Sequence, residues 1–186
     1  MHKLILAMIY TGLLLGANAT AGMAVADVAA AKAAATGEMA KLIFAQTPKP
    51  LPEVALLDGN GGAASLAPYA GSWMVLNFWA TWCGPCRTEM PTLQNLQVLM
   101  PDVAVVPVAT GRNAVEGIKS FYAKAGVTGL PLLRDPDSDL AHRMGVIGLP
   151  VTVIVNPEGA EIARLIGGAE WDSPEAQAVL KALMMN

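Results

Sequence analysis

Two stretches of the chain, Trp73–Ala80 and Val103–Ala109, are apolar at almost every position, with Asn77 the polar exception in the first. They lack the alternation of a strand with one wet face and read as strands buried on both sides. Between them, Gly84–Met100 reads as a helix; Pro91 inside it cannot donate to the carbonyl one turn back and should kink it. A helix over Ala114–Ala125, an extended pair Leu132–Leu133 and a short helix over Ser138–Met144 come next. Val151–Val155 and Glu161–Ile166 flank Asn156-Pro157-Glu158-Gly159 and read as a hairpin. Ser173-Pro174-Glu175 opens a last helix: Ser173 caps, Pro174 takes the first turn and Glu175 favours the positive end. Upstream, Val54–Leu57 is a short strand before a turn at residues 58–62. No internal repeat is visible. This order predicts an α/β fold with a central mixed sheet, helices on both faces and a right-handed βαβ crossover.

The N-terminus breaks this pattern. Lys3 precedes the apolar stretch Leu4–Gly16, and Ala17-Asn18-Ala19 comes after it. A positive start, an apolar core and a small-x-small site read as a secretory signal peptide, cleaved after Ala19. The competing reading is an uncleaved anchor, because small and apolar residues continue through Val25, enough for the roughly 20 residues that cross a bilayer. Asn18, Thr20 and several glycines weaken that span. Either reading exports the remainder of the chain; the third reading is a buried N-terminal helix of a cytosolic protein. Val25–Gln46 is alanine-rich and predicts a helical extension, interrupted at Gly37. Thr47–Pro52 holds three prolines and reads as an extended connector. The expected division is a signal or anchor at 1–19, an N-terminal helical extension at 20–46 and a folded domain at 47–186.

Composition narrows the function classes. The chain has 186 residues and a net charge of −3, so it carries no basic footprint for nucleic acid. It has two cysteines, three residues apart, which cannot staple a scaffold; a loop that short hardly stabilises a fold. Reactivity explains the pair better. Trp82-Cys83-Gly84-Pro85-Cys86 stands where a buried strand ends and a helix begins. Cys83 falls at the N-cap, where unpaired N–H groups and the helix dipole favour a thiolate. Cys86 is one turn on, facing the same way and more buried. Cys83 is therefore the expected nucleophile and Cys86 the resolving thiol. Pro85 fits the first turn without losing a hydrogen bond. A zinc site needs further ligands, yet there is no second C-x-x-C, and of the two histidines His2 lies in the leader and His142 in no ligand spacing. The ten methionines, mostly scattered or in helical stretches, read as packing rather than Cu(I) ligands.

The run Asn77-Phe78-Trp79-Ala80-Thr81-Trp82-Cys83-Gly84-Pro85-Cys86-Arg87 resembles the active site of the thioredoxin superfamily. Its continuation Thr88-Glu89-Met90-Pro91, with Gly148–Gly159 and Gly168-Ala169-Glu170-Trp171, is similar to the TlpA/ResA/CcmG branch of thiol:disulfide interchange proteins, over roughly Pro50 to the C-terminus. The resemblance implies a thioredoxin-like fold and a cis peptide before Pro150, packed against the Cys83 sulfur. The Leu149 backbone is then free to pair with an extended substrate, as in strand addition. Where thioredoxin carries a buried Asp, this chain has Asn77, which cannot take a proton. Glu89 matches the branch's glutamate and is expected to modulate thiol titration or act as acid and base, unless it is a solvated helix residue. Trp82, Gly84, Pro85 and Leu149 are the expected substrate contacts. Arg87 is a candidate for favouring the thiolate by charge; Phe78 and Trp79 are expected to pack.

The resemblance implies an envelope reductase with no metal and no cofactor beyond the Cys83–Cys86 disulfide. Its clients would be proteins with disulfides, apocytochrome c or copper-site assembly proteins, and a membrane donor of the DsbD or CcdA kind would regenerate it. The protein would be periplasmic, either soluble or anchored to the inner membrane. The alternatives are a disulfide oxidase or isomerase of the DsbA kind, which usually has a large inserted helical domain, and a copper chaperone, which in the Sco type uses C-x-x-x-C and a distal His. A peroxidase normally has Pro-x-x-x-Thr before its cysteine, which is missing here.

Overall fold

The computed structural model describes residues 28–185, so the expected signal or anchor at 1–19 lies outside the described residues. The two apolar runs form the centre of one sheet. Strand β4 (Trp73–Trp79) and strand β5 (Val103–Thr110) pair in parallel, from Trp73 opposite Val103 to Trp79 opposite Ala109. Helix α2 (Gly84–Leu99) makes the crossover, and runs through Pro91. Strands β7 (Val151–Val155) and β8 (Ala160–Ile166) are the expected antiparallel hairpin, and β7 lies against β4 with Asn77 opposite Thr152. On the other side, β6 (Leu133–Asp135) pairs in parallel with β5, and the short strands β2 (Leu56–Leu57) and β3 (Ala63–Ala64) finish that edge. With β1 (Ile43–Pro50), the sheet has eight strands in the order β1-β8-β7-β4-β5-β6-β2-β3. The expected mixed α/β architecture is observed.

The pleat of β4 sorts its side chains into two cores. Met74, Leu76 and Phe78 point to one face, with Val106, Val108 and Val153 and with Leu140, Ala141 and Met144 from the short helix α4 (Asp139–Arg143) and its end. Val75 and Trp79 point to the other, where α2 packs with helices α3 (Val115–Ala125) and α5 (Pro174–Met184). Trp79 is fully buried there, stacked on Tyr122 at 5.7 Å and tilted against Phe121 at 5.4 Å. Side chains two apart share a face, so Asn77 projects on the α2 side with Val75 and Trp79. This parity brings a polar side chain of the central strand to the helix that carries the cysteines.

The N-terminal region departs from expectation. A helix, α1, covers residues 28–34; Thr36 is already extended, and a 3-10 turn (Gly37–Lys41) follows, with Gly37 at a φ of 56°. From Ile43 the chain is strand, not the helix expected through Gln46. The expected connector joins the sheet as part of β1, antiparallel to β8. Residues 43–46 hold one alanine, and Ile43 and Phe44 favour the strand that covers the β8 edge. Pro48 and Pro50 are tolerated because β1 is an edge strand, where a missing N–H costs no ladder bond on the open side. The expected boundary between residues 46 and 47 thus falls inside a strand. Ala31 and Met39 are buried in the core that holds α2 and α5.

Candidate active site

Strand β4 ends at Trp79, and the chain turns through Ala80–Trp82, with Cys83 N–H donating to the Ala80 carbonyl. The turn is pinned from the side: Asn113 Oδ1 accepts from Thr81 N–H at 2.8 Å and from its hydroxyl at 2.9 Å. Cys83 is the N-cap of α2, as expected, and its Sγ accepts from the Cys86 N–H at 3.3 Å. The two cysteines form a disulfide with their Cα atoms 5.3 Å apart. Cys83 keeps 6% of its surface and Cys86 none. An incoming sulfur therefore meets Cys83 first. Gly84 and Pro85 are exposed, and Trp82 is 67% exposed beside them. The Arg87 guanidinium sits over the Phe121 ring at 5.4 Å.

Glu89 is one turn beyond Cys86 on the buried side of α2 and is itself buried. It is not a solvated helix residue. Asn77 Nδ2 donates to its Oε1 at 2.8 Å and also to Thr152 Oγ1 at 2.9 Å; Ala169 N–H donates to its Oε2 at 3.2 Å. Trp171 also favours the carboxylate, though its Nε1–H reaches no partner with full hydrogen-bond geometry. Burial outweighs these donors and, aided by the negative charge of Glu38, pushes the Glu89 carboxyl up to about 7. A buried carboxyl raised by its surroundings thus lies one turn from Cys86.

The third component is the loop before β7. The Leu149–Pro150 peptide is cis, and Pro150 is buried. Leu149 is half-buried, and among the described residues neither its N–H nor its C=O has a hydrogen-bond partner. Ile147, two residues before Leu149, is fully exposed.

Residues 48–161 match the AhpC/TSA family. The chain belongs to that family. It is 32% identical over 124 residues to the thiol-disulfide oxidoreductase ResA of Bacillus subtilis, an alignment covering 66% of this chain and 68% of the relative. It is 30% identical over 119 residues to ResA of Geobacillus thermodenitrificans, covering 63% and 67%. Among solved structures it resembles a putative thiol:disulfide interchange protein DsbE from Chlorobium tepidum, with a TM-score of 0.64, 26% identity and coverage of 74% of this chain and 98% of the other. It also resembles an exposed lipoprotein thioredoxin from Streptococcus pneumoniae, with a TM-score of 0.59, 25% identity and coverage of 73% and 100%. As a member of this family, with a thioredoxin-like fold, the protein is a thiol–disulfide oxidoreductase.

In this AhpC/TSA protein the structure brings Cys83, Cys86 and Glu89 onto one helix, with Asn77 behind them. His142 is exposed at the end of α4, and among the described residues no three His, Cys, Asp or Glu side chains converge as a metal site would need. Sequence reasoning missed Thr152 and Ile147. Thr152 had a signal: a lone hydroxyl within the apolar run Val151–Val155. Its meaning depended on the strand register that sets it opposite Asn77. Ile147 had none, because an isolated apolar residue in a loop does not reveal its exposure.

Proposed function

We propose that this chain is an exported reductant of protein disulfides. The observation that carries the reading is the asymmetry of the pair: an N-cap sulfur with residual exposure above a fully buried one. With both thiols reduced, the helix N-terminus favours the Cys83 thiolate. It attacks a client disulfide, a Cys83–client bond forms, and one client thiolate leaves. Cys86 gives its proton to the Glu89 carboxylate and attacks the Cys83 sulfur. The mixed disulfide breaks and the second client thiolate departs, to be protonated from Glu89 or water. Two electrons pass to the client, and the protein is left with the Cys83–Cys86 disulfide. The unpaired Leu149 backbone next to Pro150 suits an extended client segment docked as an added strand, with Trp82, Gly84 and Pro85 as its apolar surroundings.

The leader pattern at 1–19 supports export, and one structural relative is described as an exposed lipoprotein. Among the described residues no helix is long and apolar enough to cross a membrane. In an oxidising compartment such a reductant needs a membrane donor of the DsbD or CcdA kind. Apocytochrome c and copper-site assembly proteins are the proposed clients. The test is trapping with the full chain: Cys86→Ser should accumulate mixed disulfides through Cys83, and the captured proteins name the pathway. A Cys86→Ser protein that captures nothing, while the wild type reduces a test disulfide, would overturn the two-step scheme. A reduction potential near that of DsbA, about −120 mV, rather than thioredoxin, about −270 mV, would make it an oxidant.

A further inference from the structure

The Glu89 carboxyl is enclosed, yet an acid that serves one turnover after another must exchange protons with water. Its neighbours show where. Asn77, Thr152 and Trp171 are fully buried, and Ala169 is nearly so. Gly168, by contrast, is half-buried, and Pro85 is exposed. A Cβ on Gly168 would meet Pro85 Cβ and the Pro85 carbonyl oxygen at 3.7 Å and Glu89 Oε2 at 3.8 Å. Those distances leave room for one heavy atom against the carboxyl oxygen. The backbone does not demand glycine here: Gly167 has a φ of 96°, whereas Gly168 lies outside the left-handed region. A residue with no side chain, where any L-residue could stand, is directly over the buried acid.

We propose that Gly168 keeps open the passage between Pro85 and the 167–171 loop through which the Glu89 carboxyl exchanges protons with solvent, making it a positioning residue for the deprotonation of Cys86. This rests on the acid–base reading of Glu89. The charge and titration around the passage are simple. Glu38 adds negative charge, its own carboxylate held by the Glu170 N–H at 2.8 Å; Glu170 is exposed; Cys83 and Cys86 are the thiols on the same helix. Asn77, Thr152 and Trp171 contribute no charge. In the step served, Cys86 loses a proton to the Glu89 carboxylate, and the neutral acid then passes it to water at the Gly168 gap and is ready again. A side chain in the gap excludes that water and further disfavours the ionised acid.

The experiment uses the reduced full chain and Ellman's reagent, an aromatic disulfide. Its first thiolate release reports attack by Cys83, and its second reports attack by Cys86 on the mixed disulfide. Gly168→Ala fills the gap at van der Waals distance, and Gly168→Val closes it. Each should leave the first release unchanged. Each should slow the second at pH 7, by about 3-fold and about 10-fold, and raise its pH midpoint by about half a unit and about one unit. In a Glu89→Gln background neither should have a further effect. Equal slowing in that background would show a steric obstruction and overturn the proposal; so would an unmoved midpoint in the Glu89 protein. Glu89→Gln alone leaving the second release unaltered would overturn the acid–base reading instead. Should Gly168→Val fail to fold, Gly168→Ala, whose Cβ meets nothing closer than 3.7 Å, carries the test.

Discussion

Asn77 donates its amide proton to Glu89 Oε1 at 2.8 Å across the interface between the central strand and the redox helix. The donor stabilises the carboxylate, while its own immobility as a non-titrating group leaves the proton to Glu89 alone. Replacing Asn77 with Asp removes the donor and sets two buried carboxyls side by side. Such a pair holds one proton between them and cannot ionise twice without cost. Asn77→Asp should therefore be less stable than the wild type by roughly 2–4 kcal/mol at pH 8 and by clearly less at pH 5. Urea unfolding at the two pH values measures it; equal losses at both would mean that the two side chains are not coupled.

Glu89 also makes the wild-type fold pH-dependent. Its carboxyl is raised from 4.5 to about 7 by burial, so between those values the folded chain holds a proton that the unfolded chain has lost. Stability from this group is fully present below about 4.5 and is lost as pH rises through 7. The difference corresponds to roughly 3 kcal/mol, less whatever rearrangement admits water. Glu89→Gln, which is always neutral, should flatten the slope between pH 5 and pH 8 and become the more stable protein at pH 8. Parallel denaturation midpoints for the two proteins across that range would exclude an elevated Glu89.

How far the sequence carries can be read from these same residues. The parallel pair β4 and β5, the hairpin and the place of Cys83 at a helix start were legible, because continuous apolar runs, turn residues and caps are local signals. The pairing of Asn77 with Thr152 was not, since it depends on a register between strands 75 residues apart. Nor was strand β1. The alanines that favour a helix upstream are sparse past Ala40, and the pairing of Ile43–Pro50 with the β8 edge is a tertiary contact that a local reading does not show. Gly168 was visible as part of the Gly168-Ala169-Glu170-Trp171 motif, but the meaning of its missing side chain required knowing what lies beneath it.

Trp82 and Ile147 flank the site from two loops, one before Cys83 and one before Pro150, and both are large, apolar and exposed. Neither contributes to a core. Trp82→Ala and Ile147→Ser should change stability by no more than about 0.5 kcal/mol. If a client segment docks along Leu149 as proposed, both surfaces are placed to lose water. Reduction of a protein disulfide should slow by about 3- to 10-fold in each variant, with the reaction toward a small disulfide unchanged. Equal effects on protein and small substrates would locate these side chains in the chemistry of the sulfurs instead of in client contact.

The 3-10 turn Gly37–Lys41 supplies Met39 to the core beside α5, and Met39 is 1% exposed, while its neighbour Lys41 is exposed and pairs with Glu38 at 3.2 Å in solvent. If the N-terminal segment were a spacer, substitutions in it would be neutral. If it is part of the folded unit, the buried residue must matter and the exposed one must not. Met39→Ala removes a buried side chain and leaves a cavity between the turn and the sheet, which costs about 2–5 kcal/mol in comparable cores. Lys41→Ala removes a solvated ion pair worth about 0–1 kcal/mol. For a domain of this size the first should lower Tm by roughly 6–15 °C and the second by no more than about 3 °C. A Met39→Ala protein that melts with the wild type would show that residues 28–42 lie on the domain without helping to hold it together.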